Sequence, residues 1–484
     1  MIELLKARRE QADCGLYLDD NYVSYARLLE SAARQAAHLP GGQIMLLVGE
    51  NSLELVQALL AAWWAGCTPV CLPPPARMQQ AGPYEDFVRQ TLTQLQCSGG
   101  WCDPRLQSRL PGQWRALPLP EAESAAPPAH NAETAYIQFS SGTTLQPRAT
   151  RLSHLNLQHN LEAIARQLPG QRTSHSCVSW LPLYHDMGLV GCLLSALYAP
   201  GSLSLMTPLQ FALRPDSWLQ TIARRRASIS VAPNFALEQV LLRGSSHDLD
   251  LSCLQMLLIG SETVRPESLR AFHSKYQAQG LDWKALRPVY GLAENTLAAT
   301  FSAHPKINGF QLPFQIGEAV HPGERQLVSL GQPVWGVQIS IADESGQPLE
   351  EGRLGCIQVA GPSLAPQLPS PYDTGDLGFL WEGELYFVTR RKDVLVHHGR
   401  KHDPEVVEQL VLPYESAAVQ SDDRALCLVE KPRRGLPPEL EELQRRLSAA
   451  PLPVQAELVD SGWLPRTSSG KISRFKARQK RVLL

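Results

Sequence analysis

The chain has 484 residues, of which 44% are apolar and 19% are charged, and its formal net charge is −2. This composition is ordinary for a soluble globular protein, and the near-neutral charge gives no reason to expect nucleic acid or an anionic membrane as a partner. The first ten residues carry charges where a signal peptide needs an apolar stretch, and no apolar run is long enough to span a bilayer. We therefore predict a cytoplasmic protein without transmembrane association.

The first part of the chain predicts α/β layers built on parallel sheets. Residues 43–49 form a strand-like run, Ser52–Ala65 has a helical pattern, and another apolar run ends at Leu72, which together predict a βαβ unit. Ala135–Phe139 is typical of a buried strand. The same alternation then predicts one helix, Pro215–Arg225, a helical stretch through Leu197, and the strands Cys177–Leu181, Ser202–Met206, Ile229–Ala232, Leu254–Ile259 and Leu286–Val289.

The pattern changes at about Leu327, where short alternating segments with Gly between them predict antiparallel strands. The strands are expected at Val337–Ala342, Gly355–Ala360 and Glu384–Val388. After Asp393, helices are predicted at Pro404–Leu410 and Pro438–Leu447. We therefore predict a large body of residues 1–393, with a β-rich section at about 327–393, and a small, mobile α+β C-terminal domain of residues 394–484.

A hydroxyl-rich loop follows the predicted strand Ala135–Phe139. A flexible loop with free amides and hydroxyl donors at a strand end suits a polyphosphate. No Gly-Lys-Ser/Thr closes the loop, so it is a poor match to the Walker type, and taken alone it would more often be a surface turn. The candidate phosphate-binding residues are Ser140, Ser141, Gly142, Thr143 and Thr144.

Six further motifs follow in a fixed order and decide the interpretation. They are Trp180–Leu189, Gly260–Glu262, Tyr290–Glu294, Tyr372–Gly378, Arg390–Asp393 and Pro465–Lys471. Together with the loop, these motifs resemble the adenylate-forming superfamily, and the segment around His185 is most similar to fatty acyl-AMP ligases. Leu145 and Arg148, where the superfamily's loop commonly has Gly and Lys, favour the same branch.

The resemblance implies ATP as a substrate and assigns several residues to it. Gly260, Ser261 and Glu262 would lie beside the adenine, where Gly permits close approach. Tyr290 and Gly291 would continue this surface, with the tyrosine ring stacked on the base. Two further residues would hold the sugar and phosphates: Asp376, which would accept both ribose hydroxyls, and Arg390, a fixed cation.

The resemblance also implies catalytic roles for Lys471, His185 and Glu294. Lys471 would neutralise the charge that builds when a carboxylate attacks the α-phosphate of ATP. Glu294 would hold Mg²⁺, which accepts one or two carboxylates together with phosphate oxygens. Asp393 occupies the family's hinge position between the two domains.

The acyl group is expected against a pocket near His185. The implied lining residues are His185, Gly188, Cys192, Asn234 and Phe235. In this interpretation Gly188 allows close approach of the substrate, and Cys192, where the family tends to have Gly, would shorten the acyl tunnel.

The predicted reaction has two steps. A carboxylic acid, expected to be fatty, is first converted to acyl-AMP with release of pyrophosphate. The acyl group then passes to the phosphopantetheine thiol of an acyl or peptidyl carrier protein. The segment between Gly361 and Tyr372 is shorter than in the fatty acyl-AMP ligases, which leaves an acyl-CoA synthetase or an amino-acid or aryl-acid adenylating ligase as alternatives. A non-catalytic member that binds nucleotide or carrier protein is a further alternative. Residues 464–484 hold seven Lys or Arg and no acidic residue, and we interpret them as a solvated basic face rather than a nucleic-acid tail.

Overall fold

The computed structural model describes residues 14–75, 81–117, 119–120, 122, 132–139, 148–170, 175–199, 201–244, 249–313, 315–421, 424–432, 436–466 and 472–482. The candidate phosphate-binding residues 140–144 and the candidate Lys471 lie outside these ranges, so their roles stay predictions. Among the helices in the described ranges, none has the length and apolar character needed to cross a membrane. All ten cysteines of the chain are free thiols.

The largest sheet has nine strands, and its six central strands run parallel. Antiparallel strands close both edges. The predicted strands in this region all form, displaced by no more than two residues, because continuous apolar runs are buried on both faces of a parallel sheet. In spatial order the strands are Gln332–Pro333, Ala298–Phe301, Leu286–Gly291, Met256–Ile259, Ile229–Ala232, His175–Ser179, Gly201–Leu205, Gly15–Leu18 and Asn21–Ser24.

A second parallel sheet contains the predicted βαβ unit. Its strands, in spatial order, are Thr68–Leu72, Ile44–Val48, Gly99–Cys102 and Arg115–Ala116. The helix of the unit begins after Ser52, whose hydroxyl accepts a hydrogen bond from the backbone N–H of Leu55. Residues from both sheets belong to one hydrophobic core.

Helices cover these sheets, and most have one buried face. Their bounds are Tyr25–Ala36, Leu53–Trp64, Ala81–Leu95, His154–Ala165, Asp186–Gly188, Ser195–Tyr198, Pro208–Leu213, Asp216–Arg225, Asn234–Arg243 and Pro266–Tyr276. The helical stretch predicted through Leu197 is interrupted by a π-helix at Leu189–Leu194. The hydroxyl of Ser195 donates to the carbonyl of Val190 at 2.8 Å in this wider turn, a feature that hydrophobic periodicity does not reveal.

Antiparallel strands form the β-rich section. Its four strands are Gln338–Ala342, Gly355–Ala360, Tyr372–Trp381 and Glu384–Arg390. Three of them were predicted to within two residues, and Tyr372–Trp381 was not. A three-stranded antiparallel sheet lies just before them, made of Ile307–Gln311, His321–Pro322 and Arg325–Val328. Elsewhere, the predicted strand before the candidate phosphate-binding residues is Thr134–Phe139, and it pairs antiparallel with Ala149–Ser153.

Residues 394–484, called here the C-terminal section, have hydrophobic clusters of their own. Both predicted helices form, as Pro404–Gln409 and Leu440–Leu447, and a third helix is Arg474–Val482. The strands are Leu395–His397, Arg400–His402, Ser416–Ser421, Arg424–Glu430 and Val454–Val459. These separate clusters are consistent with the predicted domain division, which stays a prediction.

Candidate active site

Three residues of three different motifs meet around the carboxylate of Asp376. Asp376 and Arg390 are cross-strand partners on Tyr372–Trp381 and Glu384–Arg390. Arg390 Nε lies 3.6 Å from Asp376 Oδ1, and the hydroxyl of Tyr290 donates to Asp376 Oδ2 at 2.8 Å. The structure thus brings together residues that are 86 positions apart in sequence.

The environment of Asp376 opposes its ionisation. Burial raises the pKa of this carboxyl above its ordinary value of 3.8, although Arg390 and the hydroxyl of Tyr290 both pull the pKa down. An ionised carboxylate has acceptor capacity beyond the bond from Tyr290 and can accept the hydroxyls of a ribose. Binding such donors would replace the water that the buried carboxylate lacks.

Glu294 lies on a tight turn that distant side chains hold in place. The turn is a 3₁₀ helix, Ala293–Asn295. Gln138 is the penultimate residue of the strand Thr134–Phe139, and its Nε2 donates to the carbonyls of Ala293 at 2.6 Å and Thr296 at 3.1 Å. The turn that carries Glu294 is therefore tied directly to the strand that precedes the candidate phosphate-binding residues.

The Glu294 carboxyl has a raised pKa, chiefly because it is buried. The negative charges of Asp186 and Asp376 raise this pKa further, and Arg390 opposes them. A cation placed beside Glu294 would relieve this repulsion.

Protein side chains alone hold a metal ion only where several ligands converge. Within the described ranges there is no group of three or more His, Cys, Asp or Glu side chains arranged to do so. The partly buried carboxylate of Glu294 fits Mg²⁺ that takes its remaining ligands from phosphate oxygens and water.

His185 is the N-cap of the short helix Asp186–Gly188. Its Nδ1 lies 2.6 Å from Asp186 Oδ1, and the backbone N–H of Met187 donates to the same oxygen at 2.7 Å. Asp186, which the sequence motif contained but which we did not single out, therefore orients the imidazole.

Asn51 fixes the loop that precedes His185. Its Nδ2 donates to the carbonyl oxygens of Leu181 and Met206, both at 2.9 Å, and its Oδ1 accepts from the N–H of Leu183 at 3.0 Å. Asn51 was missed by the sequence analysis because it lies 130 positions from Leu181 and belongs to no motif.

Gly188 and Cys192 have close protein neighbours. A Cβ at Gly188 would lie 2.3 Å from the carbonyl oxygen of Pro182, so the backbone itself requires a glycine here. Cys192 is buried, and its thiol interacts with Cys177 and Ser179. Their roles toward an acyl group stay predictions.

Phe235 belongs to an aromatic cluster on the proposed acyl side. The rings of Trp180 and Phe211 stack 3.9 Å apart, and Phe235 meets them edge-on at 6.0 and 6.4 Å. Asn234 is buried at the start of the same helix, Asn234–Arg243. These residues, called here the acyl-side wall, form an aromatic cluster with one amide, and their contact with an acyl chain stays a prediction.

The turn Gly260–Glu262 connects this wall to the proposed adenine side. A Cβ at Gly260 would lie 2.7 Å from Val289 Cγ2, and Ser261 has a left-handed backbone with φ of 71°. Glu262 accepts a hydrogen bond from the N–H of Phe235 at 2.5 Å. A similar steric limit applies to Gly291, where a Cβ would lie 2.0 Å from the carbonyl oxygen of Leu297.

Asp393 lies where the body of the chain joins the C-terminal section. Its N–H donates to the carbonyl of Arg390 at 2.9 Å, and Arg474 Nη1 lies 3.6 Å from its carboxylate. Its predicted hinge role is compatible with this position and stays a prediction.

Lys392 and Arg148 are two further cations that the sequence analysis did not assign to the site. Desolvation of the ammonium and the charge of Arg390 lower the pKa of Lys392 to about 8, although Asp393 and Asp376 raise it. Arg148 also acts on Lys392. A cluster of like charges beside Asp376 suits a site for an anionic ligand.

Comparison with known proteins identifies the class of molecule. Residues 6–368 match the family model described as AMP-binding enzyme. The chain therefore belongs to this family of adenylate-forming ligases, as its motifs predicted.

Individual relatives and solved structures agree with that class. The medium-chain-fatty-acid–[acyl-carrier-protein] ligase JamA of Moorena producens is 30% identical over 95% of this chain and 90% of its own. The long-chain-fatty-acid–AMP ligase FadD32 of Mycobacterium marinum is 28% identical over 92% of this chain and 86% of its own. A structure from a study of fatty acyl-adenylate ligases from E. coli and L. pneumophila superposes with a TM-score of 0.89 at 28% identity, covering 99% of this chain and 97% of that one.

Proposed function

We propose that this enzyme activates a fatty acid with ATP and transfers the acyl group to the phosphopantetheine thiol of a carrier protein. The observation that carries the proposal is the Tyr290–Asp376–Arg390 cluster, which interacts electrostatically with the partly buried carboxyl of Glu294. The similarity to JamA over nearly the whole chain supports a fatty acid as substrate and a carrier protein as acceptor.

In the first step the acid's carboxylate oxygen attacks the α-phosphorus of ATP, and pyrophosphate leaves. Asp376 holds the ribose, Tyr290 and the turn Gly260–Glu262 lie beside the adenine, and Arg390 contributes positive charge. Mg²⁺ held by Glu294 would neutralise phosphate charge. Lys471 supplies a cation where negative charge develops, a contribution of about 10²–10³-fold for one well-placed group.

In the second step the carrier's thiolate attacks the acyl carbonyl of the adenylate, and AMP leaves. His185, held by Asp186, lies at the start of the helix that borders the acyl side. The aromatic wall of Trp180, Phe211 and Phe235 suits an apolar chain.

Loss of Lys471 tests the adenylation step. With ATP, Mg²⁺ and a panel of straight-chain acids, we expect acid-dependent exchange of labelled pyrophosphate into ATP. Lys471→Ala should reduce the exchange rate about 10²–10³-fold, with little change in adenosine affinity. Full exchange activity in Lys471→Ala would remove the assigned role.

The acceptor is tested separately by mass spectrometry of the products. The enzyme is incubated with ATP, the acid that supports exchange, and either phosphopantetheinylated carrier protein or CoA. Acylated carrier without acyl-CoA supports the proposal. Acyl-CoA alone would assign the chain to the acyl-CoA synthetases instead.

A further inference from the structure

A continuous network of polar contacts begins at the acyl side of the candidate site. Asn234 Nδ2 and the hydroxyl of Ser268 both donate to Glu238 Oε1, at 2.8 and 2.7 Å. Arg265 Nη1 donates to the same oxygen at 3.0 Å, and the backbone N–H of Arg265 donates to Asn234 Oδ1 at 3.0 Å. Arg265 is thus bonded to both ends of the Asn234–Glu238 contact.

The same guanidinium also reaches the C-terminal section. Arg265 Nε donates to Glu405 Oε1 at 2.9 Å, and Glu405 lies at the start of the helix Pro404–Gln409. The side chains of Arg265 and Glu405 are only 27% and 6% exposed. Breaking a pair this far withdrawn from water leaves an uncompensated charge and therefore costs more than breaking an exposed pair.

From this geometry we propose that Arg265 is a positioning residue that couples the acyl-side wall to the orientation of the C-terminal section. Arg265 contacts the acyl-side wall through Asn234 and Glu238, and it contacts the C-terminal section through Glu405. Its relevance to turnover rests on the proposed function, because an acid must bind beside Asn234 for the coupling to act.

Among the described residues, three other ion pairs join the body to the C-terminal section, and two of them provide a comparison. Arg325 pairs with Asp403, and Lys401 Nζ lies 2.7 Å from Glu344 Oε1. Glu344 is 67% exposed, so this pair is screened by water and is expected to contribute little. Lys401→Gln is therefore a matched control for the loss of one cross-section ion pair.

The structural test needs neither acid nor ATP. Trypsin cleavage after Arg391 or Lys392, next to the hinge candidate Asp393, reports how firmly the C-terminal section is held. Relative to the unmodified protein, Arg265→Gln and Glu405→Gln should increase the cleavage rate about tenfold, and Lys401→Gln less than about twofold. Arg265→Lys, which keeps the charge but loses the planar fork, should give an intermediate rate.

The catalytic test measures the acid side after loss of Arg265 or of its partner Glu405. In pyrophosphate exchange, Arg265→Gln should raise KM for the acid about fivefold or more, because Glu238 and Asn234 lose a partner. Glu405→Gln should also raise that KM, by about threefold or more, because coupling through one residue acts in both directions, whereas Lys401→Gln should leave it within about twofold. Circular dichroism and adenosine binding check that each variant is folded.

The cleavage rates and the KM for the acid test different parts of the proposal. Unchanged cleavage in Arg265→Gln and Glu405→Gln, or equal acceleration in Lys401→Gln, overturns the proposal. A KM for the acid that is unchanged in Glu405→Gln overturns the coupling through Asn234. If no acid supports exchange in the unmodified protein, the proposed function fails, whereas the cleavage result still tests whether Arg265 holds the C-terminal section.

Discussion

In the free protein the Asp376 carboxyl has lost part of its hydration. Hydrogen bonds from a bound nucleotide can replace that hydration. Its raised pKa means that the folded state binds a proton more tightly than the unfolded chain does. The resulting contribution to stability is present below the ordinary pKa of 3.8 and is lost as pH rises through the folded-state pKa. Ribose hydroxyls, by contrast, need the ionised form as acceptor.

The ribose contact should therefore make adenosine binding depend on pH. As pH falls through the raised pKa of Asp376, the ligand must displace a proton, so the affinity for adenosine should fall. Asp376→Asn should weaken binding about 10–100-fold at neutral pH and remove this pH dependence. Calorimetric titration across the acidic range checks both; an unchanged pH profile in Asp376→Asn would contradict the role of Asp376.

The turn at Ala293–Asn295 shows how one element depends on another. Gln138→Leu would remove the side-chain donor to the carbonyls of Ala293 and Thr296 and loosen the turn that carries Glu294. We expect the pyrophosphate exchange rate to fall about 10–100-fold, because small displacements of positioning groups are costly. The rate is measured at saturating acid, and adenosine affinity should stay unchanged.

A matched control for Gln138→Leu exists in the C-terminal section. Gln444 also bonds backbone groups, donating to the carbonyl of Val454 at 2.8 Å and accepting from the N–H of Ala456 at 2.9 Å. Gln444→Leu should lower stability similarly without the same loss in exchange rate. Equal losses in both variants would indicate a general effect of destabilisation and not a specific role for Gln138.

These elements also show what the sequence can and cannot predict. The parallel strands follow from apolar runs such as Ile229–Ala232, and the motifs assign Asp376 and Arg390 separately to the nucleotide, whereas their pairing on adjacent strands comes from the structure. The contacts of Gln138 and Asn51 were not predictable, because each joins a side chain to backbone groups 130 or more positions away. A side chain that bonds distant backbone carbonyls leaves no local pattern, so only the folded chain reveals it.

At the scale of the whole molecule, the C-terminal section is held together by its own core and by Arg474. Arg474 donates to both carboxylate oxygens of Glu408, at 2.7 and 2.6 Å, and the Glu408 side chain is 9% exposed. Arg474 also lies three positions after Lys471 in the sequence and near Asp393. Losing this guanidinium would leave Glu408 buried without a cation.

Arg474→Met should consequently destabilise the C-terminal section by about 3–5 kcal/mol. In differential scanning calorimetry we expect a small transition of this section to move down by more than about 10 °C, while the transition of the large body stays in place. In the native protein the N–H of Ala418 donates to Glu408 Oε1 at 2.9 Å. Adding Glu408→Gln to Arg474→Met removes the unpaired negative charge and keeps an acceptor for this N–H. Part of the lost stability should therefore be recovered. If both variants instead shift one single transition of the whole chain, the C-terminal section is not an independently melting unit. The body would then share the loss of stability through pairs such as Arg265–Glu405.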